Sequence, residues 1–383
     1  MKQGWEYKRL GEVCKITMGQ SPNGNSINNN NEGIEFHQGK TCFGERTLGI
    51  STLFSSEPTK LAEAHSVLLC VRAPVGFPNI TDRQICIGRG LCALYAKEGI
   101  NNTFLFYSLL GKQSYFEKNA TGSTFKAISS KVVSDTIIPL PPKSTQLAIV
   151  SELDKINELI RLKKEQLKDY DNLAQSLFYQ MFGDPVENEM GWEVKKLGDN
   201  VKEMFLGPFG SALKVDSYVP KDDSYCMVYE QKHAIKKSIN LENHYINKEK
   251  FDSLQRFSVM PGDFIMSCRG TIGKLYQIPK GAPLGIIHPS LMKIRLKENG
   301  YNSTYFQFML IKIVANESTN GNCVQMAITA KALGKKELPL PPLPLQQLFA
   351  QRIEQIERQK AEVQKAIADL ETLLASRMQY WFE

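Results

Sequence analysis

The sequence predicts an α+β protein in which two pseudo-repeated α/β domains are separated by two long helices that form an antiparallel coiled coil. The first observation is a repeat: GWEYKRLGEV at Gly4 to Val13 returns as GWEVKKLGDN at Gly191 to Asn200. A proline run, IPLPP at 138–142, likewise returns as LPLPP at 338–342. After the last proline of each segment, Pro142 and Pro344, about 40 residues lack glycine and proline and carry apolar residues at helical spacing.

The repeats divide the 383 residues into four segments. Residues 1–142 and 183–342 mix glycine, proline, asparagine and short β-branched runs, which is typical of α+β domains. Residues 143–182 and 343–383 are the two helical segments. A hydrophobic content of 42% and a charged content of 23% exclude collagen-like and wholly disordered chains.

Both helical segments carry apolar residues at alternating steps of four and three, the pattern of a coiled-coil seam. The predicted seam residues are Ile149, Leu153, Ile156, Ile160, Leu167, Leu177, Phe349, Ile353, Ile356, Val363, Ile367, Leu370 and Leu374. Chain order makes a paired arrangement antiparallel, with Lys163 and Lys360 interrupting the seam. At 1.5 Å per residue the first seam is about 50 Å long, roughly one and a half turns of B-DNA. The alternative is an ordinary amphipathic helix docked on each domain.

The net charge of +7 is concentrated in the predicted domains. Residues 1–142 and 183–342 each carry an excess of four positive charges, whereas residues 143–182 are neutral and residues 343–383 carry one negative charge in excess. This distribution favours domains that contact phosphates and helices that contact protein.

Motifs for catalysis, cofactors and metals are incomplete. The segment Gly33 to Thr41 has five residues between its glycines, whereas a phosphate-binding loop has four. An adenine methyltransferase carries an Asn/Asp-Pro-Pro-aromatic loop, whereas the Pro-Pro pairs of this chain read LPPK and LPPL. The five histidines have no metal-ligand spacing. The eight cysteines are typical of buried reduced thiols. We therefore expect no metal and no disulfide. With no signal peptide or apolar span in the sequence, we expect a cytoplasmic location.

Taken together, these segments resemble the specificity subunit of type I restriction-modification enzymes, and the resemblance covers essentially the whole chain. It rests on the two GWExKxLG starts, the two PLPP-to-helix junctions, GPFGSALK at Gly207 to Lys214, CRGTIG at Cys268 to Gly273, and the helix ends SLFYQMFGDP and SRMQYWF. The resemblance implies two target recognition domains, each reading one half of a bipartite DNA site, and a coiled coil that spaces them.

The resemblance also implies partners and cofactors. Two methylation subunits would bring S-adenosylmethionine, and restriction subunits would bring ATP, Mg and the nuclease. The chain itself would then be a non-catalytic subunit that carries no cofactor and meets no membrane. The alternative is a two-domain coiled-coil scaffold that binds proteins without recognising DNA. A third reading, a fused methyltransferase or nuclease, requires motifs that the sequence lacks.

Base reading needs side chains with paired donors, or with a donor and an acceptor, on loops held against a groove. The predicted DNA-binding residues are Gln38, Lys40, Arg46, Arg72, Ser123, Thr124, Lys126, Lys214, Gln231, Lys232, His233, Arg269, Asn322 and Gln325. The alternative is that these loops are only solvated, or that Arg72 and Arg269 bond turn carbonyls. For partner binding we predict the flanks of the seam and the helix ends, including Phe178, Tyr179 and Tyr380.

Overall fold

The structure, a computed structural model, describes residues 4–122, 126–319 and 328–382. The chain divides into two compact units. Unit 1 consists of residues 1–165 and 363–383, and unit 2 consists of residues 166–362. Each unit therefore contains one α/β region and part of both long helices.

The α/β region of unit 1 is built from short strands and helices. The strands are β1 (Glu6–Arg9), β2 (Cys14–Met18), β3 (Ile27–Asn28), β4 (Ile34–His37), β5 (Phe54–Ser55), β6 (Leu61–Ala62), β7 (Val67–Cys70), β8 (Pro78–Ile80), β9 (Ile85–Ile87), β10 (Leu91–Ala96) and β11 (Ile137–Leu140). The helices are α1 (Leu10–Val13), α2 (Asn102–Leu110), α3 (Gln113–Lys118) and α4 (Ser130–Asp135).

The α/β region of unit 2 follows the same plan. Its strands are β12 (Val194–Lys196), β13 (Val201–Leu206), β14 (Cys226–Tyr229), β15 (His244–Ile246), β16 (Ser258–Val259), β17 (Phe264–Ser267), β18 (Leu275–Gln277), β19 (Gly285–Ile287), β20 (Leu291–Leu296) and β21 (Glu337–Pro339). Its helices are α6 (Leu197–Asn200), α7 (Gln231–Lys236), α8 (Lys248–Leu254), α9 (Ser303–Thr319) and α10 (Ala330–Gly334).

Sheet topology repeats between the units. In unit 1 one sheet has the order β2-β10-β7-β8, and in unit 2 its counterpart has the order β13-β20-β17-β18. A second sheet pairs β4 in parallel with β9, and β14 pairs in parallel with β19 at the same place. The two-stranded sheets β1-β11 and β12-β21 join each GWExKxLG segment to the strand that precedes the long helix. The sequence repeat is therefore a repeat of topology.

Continuous apolar runs form the central strands of both units. All four residues of β7 (VLLC) and of β17 (FIMS) are buried, as expected for strands covered on both faces. Helix α2 covers β7 with the buried run from Phe104 to Leu109, and the start of α9 packs into the corresponding core of unit 2. The sheets and helices in each unit thus enclose their own apolar core.

The two long helices are α5 (Lys143–Phe182) and α11 (Leu343–Phe382), each of 40 residues. Within unit 1 they run antiparallel, because Glu152 bonds Arg377 while Lys164 lies 3.1 Å from Glu371. Within unit 2 the direction is again antiparallel. Asp171 accepts a 2.8 Å bond from Lys360, and the rings of Phe178 and Phe349 lie 5.6 Å apart.

The predicted seam residues lie mostly inward. Buried are Ile149, Leu153, Ile156, Ile160, Phe349, Ile353, Ile356, Val363 and Ile367, and partly buried are Leu167, Leu177, Leu370 and Leu374. Where Lys360 interrupts the seam, its ammonium bonds Asp171 at 2.8 Å and Glu357 at 2.9 Å. Burial alone would lower the pKa of Lys360, but these two carboxylates outweigh burial and raise it.

A buried glutamine ties the start of each long helix to its α/β region. In unit 1, Gln146 accepts from the amide of Asn101 at 2.9 Å and donates to the carbonyl of Pro141 at 3.0 Å. In unit 2, Gln346 accepts from the amide of Asn302 at 2.8 Å and donates to the carbonyl of Pro341 at 2.7 Å. The same side chain thus makes the same two bonds at positions 200 residues apart.

The repeated tryptophans lie at the ends of the long helices. In unit 1, Trp5 stacks on Trp381 with ring centroids 6.0 Å apart, so the beginning of the described chain lies beside the end of α11. In unit 2, the indole of Trp192 donates a 2.9 Å bond to the carbonyl of Phe182, the last residue of α5. Each tryptophan therefore joins a GWExKxLG segment to the end of a long helix.

Candidate DNA interface

Four turns of unit 1 meet at one edge, which we call the four-turn edge of unit 1. They follow β2, β4, β7 and β9, at Gly19–Gln20, Gln38–Gly39, Arg72–Ala73 and Gly88–Gly90. Backbone hydrogen bonds join them: Gln20 donates to Ile87 at 3.0 Å, Gly90 to Gln38 at 3.2 Å and Val71 to Gly90 at 2.9 Å. Loops that a sheet holds in this way can present side chains to a ligand without further ordering.

Predicted DNA-binding residues cluster on this edge. Gln38 and Arg72 are exposed there, and Lys126 is held beside Arg72, because the amide of Ala73 donates to the carbonyl of Lys126 at 2.9 Å. The ammonium of Lys40 lies 4.4 Å from the centre of the Phe77 ring. The folded chain thus brings together side chains from three separate segments of the sequence, and all of those that are charged are basic.

The sequence analysis did not predict one exposed arginine that lies on the same edge. Arg89 lies between Gly88 and Gly90, in the turn whose backbone bonds both Gln38 and Val71. The signal that could have identified it is the pattern Gly-Arg-Gly after a buried strand, in which glycines permit a tight turn beneath a projecting cation.

Arg46 occupies a different environment from the other predicted residues of unit 1. Its guanidinium donates a 2.5 Å bond to Asp154 of α5, and the same carboxylate accepts a 2.6 Å bond from the hydroxyl of Tyr107. Arg46, Tyr107 and Asp154 also line a cavity of about 590 Å³ beside the helices of unit 1. The charge of Arg46 is therefore already balanced by protein, unlike that of Arg89.

A partly buried ion pair lies next to the Gln38–Gly39 turn of the four-turn edge of unit 1. Glu35 of β4 accepts two bonds from the guanidinium of Arg83, at 2.6 and 2.7 Å, and one from the amide of Ser51 at 2.7 Å. The imidazole of His37, which precedes Gln38, lies 2.8 Å from the same carboxylate. Burial would raise the pKa of Glu35, but these donors outweigh burial and lower the pKa to about 2.

Unit 2 has a corresponding four-turn edge, which repeats part of these backbone connections. Its turns are Gly207–Pro208, Glu230–Gln231, Arg269–Gly270 and His288–Ser290, after β13, β14, β17 and β19. Cys268 donates to the carbonyl of Ser290 at 2.9 Å, matching the bond from Val71 to Gly90, so Arg269 stands where Arg72 stands. Both arginines are exposed. Arg72 and Arg269 therefore occupy equivalent backbone positions in the two units.

The structure corrects the prediction for His233. Its side chain is 0% exposed, caps the start of α7 by accepting from the amide of Glu230 at 2.8 Å, and contacts the Asn243 amide oxygen at 2.8 Å. A fully buried imidazole cannot reach a base edge. The counterpart of Gln38 in unit 2 is Glu230. The amide of His288 donates to the carbonyl of Tyr229 as the amide of Gly88 donates to that of His37, so the residues that follow Tyr229 and His37 are equivalent.

The neighbours of His233 are engaged with protein. The amide of Gln231 donates a 2.6 Å bond to the carbonyl of Arg269, which positions that turn, and Lys232 lies 2.8 Å from Glu230. Lys214 is exposed and precedes a short 3-10 turn at Val215–Ser217. The predicted residues Ser123, Thr124, Asn322 and Gln325 lie outside the described residues.

The prediction of a partner-binding role for Phe178 is wrong. Its ring is 3% exposed and packs against Tyr305, Phe308 and Phe349, so it belongs to the core of unit 2. Helical periodicity places Phe178 next to the seam, where α9 covers it. Tyr179 is half-buried under the ammonium of Lys312, whereas Tyr380 is 54% exposed.

Other classes of site receive no support from the described residues. Within residues 4–122, 126–319 and 328–382, no group of three histidine, cysteine, aspartate or glutamate side chains could hold a metal ion. Across the same ranges, no helix has both the length and the apolar character required to cross a membrane.

A duplicated α/β fold with an exposed arginine at the same place in each repeat, joined to two antiparallel helices, defines the structural class of this protein. The family profile described as "Type I restriction modification DNA specificity domain" matches residues 2–169 and 211–372. The chain belongs to this family. Its two matches fall on the two repeats that the sequence shows.

Relatives with similar sequences carry the same family name. Over 178 residues the chain is 37% identical to the "Putative type I restriction enzyme MjaX specificity subunit" of Methanocaldococcus jannaschii, covering 46% of this chain and 42% of that protein. It is 25% identical over 229 residues to the MjaIX specificity subunit of the same organism, covering 52% of each. The chain thus spans about half the length of these relatives.

Solved structures share the fold. One, described as the structural basis of complex assembly and conformational transition of the type I R-M system, aligns with a TM-score of 0.70 at 20% identity. The S subunit from M. genitalium aligns with a TM-score of 0.53 at 14% identity. Both alignments cover 100% of this chain and 98% of the other. At these identities the likeness concerns the fold alone.

Proposed function

We propose that this chain is the DNA sequence-recognition (specificity) subunit of a type I restriction-modification system. Each four-turn edge reads one half of a bipartite DNA site. The observation that carries the proposal is the repetition of an exposed arginine, Arg72 and Arg269, at the same backbone position on the same edge of two repeated folds. Two such edges in one chain suit a target made of two half-sites.

Charge supports double-stranded DNA as the ligand. The excess of four positive charges in each of residues 1–142 and 183–342 favours contact with a phosphate backbone. The edge of unit 1 adds Gln38, whose amide is suited to reading adenine, to the cations that hold phosphates.

The long helices are the proposed docking surface for methylation subunits. Their outer faces carry exposed leucines, among them Leu159 at 47%, Leu162 at 46% and Leu173 at 51% exposure. Apolar side chains at this density on helices that already bury a seam favour another protein as the ligand. Restriction subunits would join the same assembly. The coiled coil would set the spacing of the half-sites.

We further propose that catalysis belongs to the partners. S-adenosylmethionine, ATP and Mg would bind to the methylation and restriction subunits, and this chain would supply recognition only. Incubation of the purified chain with labelled methyl donor and DNA tests this assignment. Methyl transfer by the chain alone would contradict it.

The decisive experiment is co-expression of the chain with its genomically adjacent methylation subunit, followed by sequencing of adenine methylation in the host DNA. We expect methylation at a single bipartite motif. A stable complex that methylates no motif would refute DNA recognition and favour a scaffold that binds only proteins. Steep weakening of DNA binding with salt would support phosphate contacts, since counterion release is absent from a protein scaffold.

A further inference from the structure

We infer that Arg89 is a base-reading residue of unit 1 and that the half-site read by unit 1 contains a guanine. The inference rests on the proposed function and assigns part of its specificity to one side chain. Arg89 is exposed, and within the described part of the chain its guanidinium makes no hydrogen bond, ion pair or ring contact. On an edge that is proposed to bind DNA, such a guanidinium can donate hydrogen bonds to a base.

The backbone that carries Arg89 is held rigidly. On one side, Gly88 donates to the carbonyl of His37 at 2.8 Å and accepts from Leu91 at 3.0 Å. On the other, Gly90 donates to Gln38 at 3.2 Å and accepts from Val71 at 2.9 Å. Specific recognition needs such preorganisation, because a mobile loop would lose conformational entropy on binding.

Both flanking glycines are needed for this arrangement. A Cβ atom on Gly90 would lie 2.4 Å from the carbonyl oxygen of Gln38, and one on Gly88 would lie 2.3 Å from its side-chain oxygen. The turn therefore packs directly against Gln38, and the side chain that remains to project from it is Arg89. Arg89 and Gln38 thus belong to two turns in direct contact, and both are residue types suited to bidentate base contacts.

Comparison of the two units distinguishes residues that would contact bases from residues that would contact phosphates. Contacts to phosphates are useful on any sequence, so they should recur in both repeats, as Arg72 and Arg269 do. Contacts to bases should differ, because the two halves of a bipartite site need not be the same. At the position of Arg89, unit 2 has Pro289, between His288 and Ser290.

Guanine is the base expected opposite Arg89. Its O6 and N7 atoms are both acceptors in the major groove and match the two parallel donors of a guanidinium, whereas adenine offers one acceptor and one donor. The loss of one good bidentate contact corresponds to a loss of discrimination of about 5- to 150-fold.

The test uses the full chain co-expressed with its methylation subunit, with adenine methylation sequenced across the host genome. In Arg89→Ala we expect the preference for guanine at one position of one half-site to fall by about 5- to 150-fold, while the other half-site is unchanged. In Arg89→Gln we expect the preference at that position to move towards adenine. Arg9→Ala is the matched control, since it removes the same charge from exposed strand β1 and should leave the motif intact.

Each other outcome overturns the inference. An unchanged motif in Arg89→Ala would show that Arg89 reads no base. Uniformly weaker binding, with a salt slope smaller by about 0.9, would show that it contacts a phosphate. Unfolding of both variants would contradict an exposed, unpartnered side chain. These results all require a methylated motif with the unaltered chain, so they are distinguishable from failure of the proposed function, in which no motif appears.

Discussion

Replacement of the buried glutamine at the start of α11 tests how each long helix is joined to its α/β region. In Gln346→Ala, the amide of Asn302 and the carbonyl of Pro341 both lose the partner that now lies within 2.8 Å of each. Gln346 is 0% exposed, so water cannot freely replace it. We expect unit 2 to lose free energy of unfolding and the junction to open more often.

The magnitude follows from the two orphaned groups. A buried polar group without a partner costs about 1–3 kcal/mol, so two such groups cost about 2–6 kcal/mol. Asn302 is half-buried, which allows water to satisfy its amide in part and favours the lower half of that range. Alanine is a better helix former by about 0.4 kcal/mol, a small offset. The net expectation is a loss of about 3 kcal/mol.

Urea unfolding and hydrogen exchange provide the assay. Gln347→Ala is the matched control, because Gln347 is the same residue type, adjacent in the same helix, and exposed. Exchange at the Asn302 amide should become faster in Gln346→Ala and stay unchanged in Gln347→Ala. If the two variants differ by less than about 0.5 kcal/mol, the range typical of surface substitutions, the buried glutamine is not the anchor that its geometry indicates.

Three other expectations concern the core of unit 2, the partly buried ion pair of Glu35 and Arg83, and the four-turn edge of unit 1. Phe178→Ala should lower the free energy of unfolding by about 3–5 kcal/mol, while Leu173→Ala, at a side chain 51% exposed, should cost far less; equal losses in urea unfolding would contradict burial of Phe178. The lowered pKa of Glu35, about 2, contributes stability that is present above its ordinary pKa of 4.5 and is lost as pH falls towards 2. Unfolding of Glu35→Gln should therefore depend less on pH in that window, and an identical pH profile would rule out this contribution. Arg72→Ala should weaken DNA binding and reduce its salt dependence more than Arg46→Ala does, because Asp154 already neutralises Arg46. DNA titrations at several salt concentrations measure both effects, and a larger effect of Arg46→Ala would contradict this expectation.

Much of the architecture could be predicted because its signals are local or repeated. The apolar spacing from Ile149 to Ile160 identifies one face of a helix wherever that helix packs, and all four positions on that face are buried. The antiparallel direction follows from chain order once two helices of similar length are recognised. Gln146 and Gln346 are 200 residues apart, the same offset as the two proline runs, and this spacing marks them as equivalent positions. The hydrogen bonds that their side chains make could not be predicted from the sequence.

Prediction of the candidate site was less complete, for a physical reason. Residue type indicates which side chains can contact DNA, but exposure depends on which distant segments pack together. His233 and Phe178 have suitable side chains and are nevertheless buried. His233 contacts Asn243, and Phe178 packs against residues of α9. Arg46 is neutralised by Asp154, which lies 108 residues further along the chain.

By itself, the sequence determined the duplication, the helix seams, the boundaries of the helices at proline runs, and the basic excess of the two α/β regions. These properties depend on periodicity and composition, which do not require knowledge of contacts. Only the tertiary structure decided which polar side chains share an edge. Gln38, Arg72 and Arg89 come together there because hydrogen bonds between turns far apart in sequence, from Gly90 to Gln38 and from Val71 to Gly90, join three strand ends.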